Sequence, residues 1–183
     1  MDHDEAGGPT SSAMPVSAAI AINAATRPRS GATRTHRTVR SAQPRSDADP
    51  RRRHDEPAAV SRQVVRSVLG GKAVGSYLGK VEVARGAQQT DAEQSVKAML
   101  LDRGATANCK PELEIYADDV KCAHGATVGA LDAMQLFYAE SRGLDPASAR
   151  ALLLEGFVMG LWDSASDPNA ICEAARAALR RVV

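Results

Sequence analysis

The chain has few of the residues that mark specialised protein classes. Aromatic residues make up 3% of its 183 residues, and it has three cysteines and four histidines. There is no Cys-x-x-Cys pair, which argues against a self-contained zinc site. An odd number of cysteines, with no recognisable export signal, argues against a disulfide framework and favours a reducing compartment. We therefore expect a cytoplasmic protein.

Signals for membranes, nucleic acid and nucleotides are also missing. No apolar run approaches the roughly 18 residues that a membrane span requires. The net charge of +1 provides no overall attraction to nucleic acid or to a membrane surface. The segment "GKAVGS" at 71–76 lacks the spacing of a phosphate-binding loop. We expect no nucleic-acid partner, no membrane partner and no ATP hydrolysis by this chain.

The first part of the chain differs in composition from the rest. Residues 1–60 contain no Phe, Tyr, Trp, Leu or Lys, but they contain nine arginines. Such a segment has too little large apolar surface to offset the entropy lost on ordering. We predict a disordered Arg/Ala/Ser-rich arm over residues 1–56, with the folded part beginning near Pro57.

The next part, residues 57–130, is typical of short strands. "SYLGKVEVARGA" and "ELEIYADDVKCAHGA" both alternate apolar and polar residues with the period of a strand. Gly-Ala pairs recur at 86–87, 104–105 and 125–126, with spacings of 18 and 21 residues. A repeat that must stack on its neighbours, with glycine at its corners, favours coils of a parallel β-helix. A small β-sandwich with coincidental Gly-Ala turns is the alternative.

Residues 131–183 have helical periodicity. Asp132, followed three positions later by Gln135, predicts a capped helix start, and Gly143 predicts its end. Asp-Pro pairs at 145–146 and 167–168 predict two further starts. The fold class is therefore mainly β with a small C-terminal helical domain. The apolar face predicted for the second helix consists of Ala149, Leu152, Leu153, Gly156, Phe157 and Leu161.

The candidate site is the pair Cys122 and His124, two positions apart. On a strand both side chains point to the same face, where a thiolate and an imidazole are suitable ligands for iron, zinc or copper. Two ligands do not complete a site, so the pair is either a half-site completed by another chain or an ordinary buried thiol beside a turn histidine. Nucleophilic catalysis by Cys122 is a third reading, but no group is obviously placed to orient the imidazole ring.

Several longer segments resemble one known family. They are "GKVEVARGAQQTDAEQSVKAMLL", "KPELEIYADDVKCAHGATVG", "QLFYAESRG" and "ARALLLEGF". From about Ser61 to at least Asp163 they are similar to the C-terminal half of the SufD family, a component of the SUF machinery for iron–sulfur cluster assembly. The segment before them resembles nothing in that family, and family members are normally more than twice as long.

The resemblance implies a right-handed parallel β-helix followed by a helical end. It implies pairing with a SufB-like protein through the β-helix and docking of a SufC-like ATPase on the helices. The family's histidine in C-x-H-G-A-T-x-G, implicated in nascent cluster formation, corresponds to His124, and the neighbouring cysteine to Cys122. The cluster would be transient at the subunit interface, with none held tightly by this chain alone. Phe157 and Trp162 are candidate anchors for the ATPase, or else they pack the helices onto the strands.

The leading hypothesis is a non-catalytic scaffold subunit of a cluster assembly complex. A truncated or degenerate copy of the family is one form of that hypothesis. The alternative is a small β-solenoid interaction module with no cluster role, which binds an unrelated protein through its helical end. A thiol-dependent hydrolase using Cys122 is a third class.

Overall fold

The computed structural model describes residues 51–159 completely, together with 19–25, 37–41, 45–48, 173, 175–177 and 179–180. The strands are β1 (Ala19–Ala25), β2 (Arg37–Ser41), β3 (Arg45–Ala48), β4 (Arg51–His54), β5 (Val60–Leu69), β6 (Val74–Val83), β7 (Asp91–Leu100), β8 (Thr106–Ile115) and β9 (Lys121–Ala130). The helices are α1 (Ala133–Ser141) and α2 (Pro146–Met159).

From β4 onward, successive strands alternate between two parallel sheets. β5, β7 and β9 pair in parallel in the first sheet, and β6 lies between β4 and β8 in the second. In the first sheet Val60 is the register partner of Asp91, and Asp91 is the partner of Lys121, which are offsets of 31 and 30 residues. The chain therefore passes through both sheets before it returns beside itself. The predicted mainly β architecture with helices at the C-terminal end is confirmed.

The repeat of 18 and 21 residues predicted from the Gly-Ala pairs is wrong. The pairs at 86–87 and 104–105 lie in the turns after β6 and β7, but the pair at 125–126 lies inside β9. Ala87 and Ala105 are buried, whereas Ala126 is exposed. The physical reason is that the repeating unit contains two strands and two turns, so consecutive turns are separated by only part of a repeat.

The core lies between the two sheets and is built from the facing side chains of both. One cluster joins Val65 and Val96 of the first sheet to Tyr77 of the second, with Cys109 packed against it. Two further clusters fill the ends of the strands. Each buried valine contributes about 1.5–3 kcal/mol relative to an exposed one, so the alternating apolar side chains of β5, β6 and β7 stabilise the packing of the sheets.

Strands also occur within the segment that the composition predicted to be disordered. β1 pairs antiparallel with β5 and with β2, and β3 and β4 pair in parallel with β6. For these ranges the prediction of disorder is wrong. An extended segment can pair with the edges of β5 and β6 through backbone hydrogen bonds alone. Its side chains need not be apolar for this pairing. The remainder of the 1–50 segment lies outside the described residues, and a domain boundary at residue 56 stays a prediction.

The first helix begins and ends, and the second helix begins, where their capping residues predict. Asp132 accepts a hydrogen bond from the Met134 amide at 2.8 Å, so it caps α1 through Met134 and not through Gln135. Gly143, with φ of 95°, follows the end of that helix. Asp145 Oδ1 accepts bonds from the first amides of α2, at 3.1 Å each. The third predicted start, at 167–168, lies outside the described residues.

The face of α2 that packs on the sheet differs from the predicted one. Leu154 and Val158 are buried with Val68 of β5, whereas Leu152 is 55% exposed. The predicted face is wrong at Leu152 because α2 is apolar on several sides. Because α2 lies on the outer surface of β5, beside Val68, the side chains that become buried are Leu154 and Val158.

A Cys-His pair at the edge of the two sheets

Cys122 and His124 lie on β9, the last strand of the first sheet along the described chain. In the parallel register Cys122 is the partner of Ala92, and His124 is the partner of Gln94. Ala92 and Gln94 are buried on the face of β7 that points between the sheets. Because side chains alternate along a strand, Cys122 and His124 occupy that same face. β9 pairs with β7 along one edge, and no strand of the described chain pairs with its other edge.

Cys122 is half-buried, in contact with the cluster that contains Val81, Val83 and Ala92. Burial raises the pKa of its thiol; a backbone hydrogen bond with Ala92 partly offsets this, and the nearby Asp91 carboxylate raises it further. The thiol is therefore protonated near neutral pH in the absence of a bound metal. No hydrogen bond joins it to His124 in the described structure, so the geometry does not favour the hydrolase hypothesis.

His124 is exposed at the end of a column of polar side chains that runs across the first sheet. Gln63 of β5, Gln94 of β7 and His124 are successive register partners on one face. Gln94 Nε2 donates to Gln63 Oε1 at 2.9 Å, and both glutamines are buried. The sequence analysis missed both glutamines. Gln94 lies one repeat before the histidine and Gln63 two repeats before it, and this spacing identifies them once the true repeat length is known.

Two polar atoms beside this column have no hydrogen-bond partner in the described part of the chain. They are Gln94 Oε1 and the hydroxyl of Tyr77, which lies on the facing strand β6. Burial raises the pKa of Tyr77 to about 12, so the phenol is neutral under all physiological conditions. The Gln94 side chain partly offsets the effect of burial on the pKa of Tyr77, so the two side chains are neighbours across the core.

Cys109 is the second thiol of the described core, and it packs against a different cluster from Cys122. It lies on β8 as the register partner of Tyr77 and packs against Val65 and Val96. Burial raises the pKa of its thiol as well, and both cysteines are free. Across the described ranges, no three His, Cys, Asp or Glu side chains lie close enough together to hold a metal ion. Cys122 and His124 thus offer two donors on one face, and Cys172 lies outside the described residues.

Phe157 and Trp162 are the two side chains predicted to anchor a partner on the helical end. Phe157 is half-buried against the cluster around Val68, and the Arg66 guanidinium lies 5.8 Å from its ring centroid. This side chain already packs α2 onto the sheet. Trp162 lies outside the described residues. The exposed large apolar side chains of α1, α2 and the turn between them are Met134, Phe137, Tyr138, Leu144 and Leu152, and a groove of about 460 Å³ runs between the two helices.

A family model described as SUF system FeS cluster assembly, SufBD core domain, matches residues 25–157. The chain belongs to the SufBD core family. The match begins well before Ser61, so the interpretation that the whole segment before Ser61 resembles nothing in the family is wrong for residues 25–60. These residues include β2, β3 and β4, which pair beside the family's core strands.

Curated relatives confirm the SufD resemblance of this SufBD chain. It is 37% identical to the iron–sulfur cluster assembly protein SufD of Escherichia coli (strain K12), over 62% of the chain and 27% of the relative. It is 45% identical to the chloroplastic protein ABCI7 of Arabidopsis thaliana, over 56% of the chain and 22% of that relative. An iron–sulfur cluster assembly SufBD family protein of Synechocystis is 39% identical to the chain, over 60% of the chain and 24% of that relative. The chain therefore spans about a quarter of the length of these relatives. Neither helix of the described chain has the length and apolar character needed to cross a membrane.

Proposed function

We propose that the chain is a non-catalytic scaffold subunit of an iron–sulfur cluster assembly complex, in which His124 and Cys122 form half of a site that a partner chain completes. The observation that carries this proposal is the position of the pair. Both residues lie on the inward face of an edge strand, and His124 is exposed. A ligand pair at an uncovered edge is available to a second protein.

The partner proposed for this edge is a SufB-like protein. β9 is ten residues long, is exposed except for the half-buried Cys122, and contains only one charged residue, Lys121. An edge strand with few charges is suited to pairing with a strand of another chain. We further propose that the two parallel sheets represent coils of a right-handed parallel β-helix, since successive strands alternate between them. A partner built from similar coils would extend the sheets across β8 and β9.

The cluster is the cargo of this site and is bound only transiently. Imidazole and thiolate are both ligands of iron. His124 is the principal donor in the proposal, because the raised pKa of the Cys122 thiol makes deprotonation part of the free energy of binding. Cys122 becomes a ligand only when iron displaces its proton.

The proposed docking surface for a SufC-like ATPase is the groove between α1 and α2. Met134, Tyr138 and Leu152 line it and are exposed apolar residues, which typically mark protein–protein contacts. The partner supplies ATP hydrolysis in this proposal, since the chain has no phosphate-binding loop. Phe157 supports the surface from beneath instead of anchoring the ATPase. A cytoplasmic location stays a prediction.

Co-expression of the tagged chain with the SufB-like and SufC-like proteins of its host tests the proposal. The complex retained by the tag is measured by size-exclusion chromatography, and its iron and acid-labile sulfide are measured after reconstitution. We expect His124→Ala to retain both partners and to lose most of the cluster. Thr127→Ala is the matched control, because Thr127 lies on the same strand but faces the opposite side. A His124→Ala complex that assembles cluster at the wild-type level would overturn the proposal.

The exposed groove also favours the alternative function, an interaction module with no cluster role. That function predicts that Tyr138→Ala removes the bound partner and that His124→Ala changes nothing. The same co-expression experiment separates the two functions, because only the scaffold proposal predicts cluster loss with both partners still bound.

A further inference from the structure

We propose that Arg66 and Lys97 form a binding site for a phosphate group on the outer face of the first sheet. The ligand is either free phosphate or a phosphate monoester, because both present the same doubly charged oxyanion. The inference goes beyond the proposed function, since this face of the sheet points away from the face that carries Cys122 and His124. It rests on two cations that lie in direct register with no carboxylate beside them.

Arg66 of β5 and Lys97 of β7 are register partners in the parallel pairing of the first sheet. Both side chains point outward, because their neighbours Val65 and Val96 are buried between the sheets. Neighbouring strands lie about 4.8 Å apart, so the two side chains leave the sheet side by side. Like charges directly opposite each other on a sheet are destabilising, and an anion bound between them removes that cost.

In the described chain, the positions around this pair on the sheet carry no negative charge. The row continues to Ile22 of β1 on one side and to Thr127 of β9 on the other, and both are uncharged residues. The next outward positions along β5 and β7 are also uncharged, namely Val64, Val68, Ser95 and Met99. Helix α2 packs on this surface, and its only carboxylate, Glu155, pairs with Arg176 at 2.6 Å.

The guanidinium of Arg66 is held in place but is not neutralised. It lies 5.8 Å from the centroid of the Phe157 ring and donates from Nη1 to the Val65 carbonyl oxygen at 3.1 Å. Burial lowers its pKa, and no carboxylate in the described chain raises it. Arg62, on the same strand and face, provides the contrast. It donates to Asp91 Oδ2 at 2.8 Å, and this bond raises the pKa of Arg62.

The unused donors suit a phosphate group better than a carboxylate. A guanidinium presents parallel N–H groups that match two oxygens of either anion, and an ammonium adds a further charge-assisted bond. A carboxylate has one charge and two oxygens, so the arginine alone would satisfy it. A phosphate dianion neutralises both cations and has a third oxygen for Lys97.

The site is open toward β9. Lys97 is exposed, and nothing lies within 4 Å of a Cβ placed at Gly125 or Gly129. These two glycines flank Thr127 on the outward face, so the strand beside Lys97 presents a flat surface. The organic part of a phosphate monoester would lie there without displacing a side chain.

The experiment is isothermal titration calorimetry of the full chain with sodium phosphate and, separately, with glycerol phosphate at constant ionic strength. Sodium acetate is the carboxylate comparison. We expect one phosphate site per chain and at least about tenfold weaker binding of acetate, the loss expected for one charge-assisted hydrogen bond. Equal or tighter binding of inorganic phosphate identifies the free ion as the ligand, and tighter binding of the ester identifies an organic phosphate. Absence of saturable phosphate binding, or equally tight binding of acetate, overturns the proposal.

Substitutions separate a specific site from general positive charge. Lys97→Gln and Arg66→Gln should each weaken phosphate binding about tenfold or more. Arg62→Gln is the matched control, since it changes the net charge equally but removes an arginine that Asp91 already pairs. We expect it to change the affinity by less than about threefold. Equal weakening in Arg62→Gln and Lys97→Gln would overturn the proposal. Lys97 is exposed, so Lys97→Gln decides the question even if Arg66→Gln fails to fold.

Discussion

Gln94 and His124 are register partners on adjacent parallel strands and share one face of the first sheet, but Gln94 is buried and His124 is exposed. The difference arises because β7 is covered on both edges whereas β9 is covered on one. A polar side chain on the last strand of the first sheet is thus left at the surface. Within the described chain, the site lies where the parallel pairing of that sheet stops.

Replacing Gly79 by Ala tests the packing beneath that site. A Cβ at this position would collide with the ring and hydroxyl of Tyr77, and the ring is enclosed in the core. We expect a loss of about 1–3 kcal/mol in the free energy of unfolding, measured by urea denaturation. Gly86→Ala is the matched control, because nothing lies within 4 Å of a Cβ there. Equal stability of the two variants would show that Tyr77 is not confined.

Replacing Leu154 by Ala tests which face of α2 holds the helix to the sheet. Leu154 is completely buried against Val68, so its truncation should cost about 2–5 kcal/mol. Leu152→Ala removes the same atoms from an exposed position and should change stability by less than about 0.5 kcal/mol. Thermal and urea unfolding of both variants measure the difference. The reverse order would favour the helical face predicted from periodicity.

The Cys122 thiol should react slowly with iodoacetamide near neutral pH. Its pKa is raised by burial, so the folded chain contains less thiolate than the unfolded chain at the same pH. We expect the labelling rate at Cys122 to rise about tenfold per pH unit through pH 7–9, the increase expected while thiolate is the minor form. Peptide mass spectrometry measures the rate, with the urea-unfolded chain as reference. Equal rates in folded and unfolded chains would contradict the burial of this thiol.

His54 should make the chain less stable in mild acid. Its ring is buried with Nε2 2.9 Å from Ser61 Oγ, and burial, followed by the charge of Arg52, lowers its pKa, while Asp55 raises it in part. A lowered folded-state pKa means that the unfolded chain binds the proton first as the pH falls. The stabilisation is therefore present above about pH 6.5 and is lost below it.

The matching measurement is urea unfolding at several values between about pH 7 and pH 5. His54→Gln keeps a polar side chain without a titrating ring, so its stability should vary less over this range. A wild-type chain whose stability is flat from neutral to mild acid would count against a buried neutral imidazole.

Local signals in the sequence predicted the features that depend on local chemistry. Asp132, Gly143 and Asp145 define helix ends because capping bonds and a left-handed backbone involve residues only a few positions apart. The alternation in β6 and the motif around His124 likewise require no knowledge of distant residues. These signals predicted the β region, the starts of both described helices, the family, and the residue at the centre of the candidate site.

Only the tertiary structure decided the features that depend on residues far apart in the sequence. The offset of 30–31 residues between strands of the first sheet, the pairing of the N-terminal strands and the buried face of α2 all follow from which edges and surfaces meet. The column from Gln63 through Gln94 to His124 has the same origin, since parallel pairing places side chains distant in sequence at one strand spacing. Backbone hydrogen bonds across the sheet create that proximity, and no local propensity encodes it.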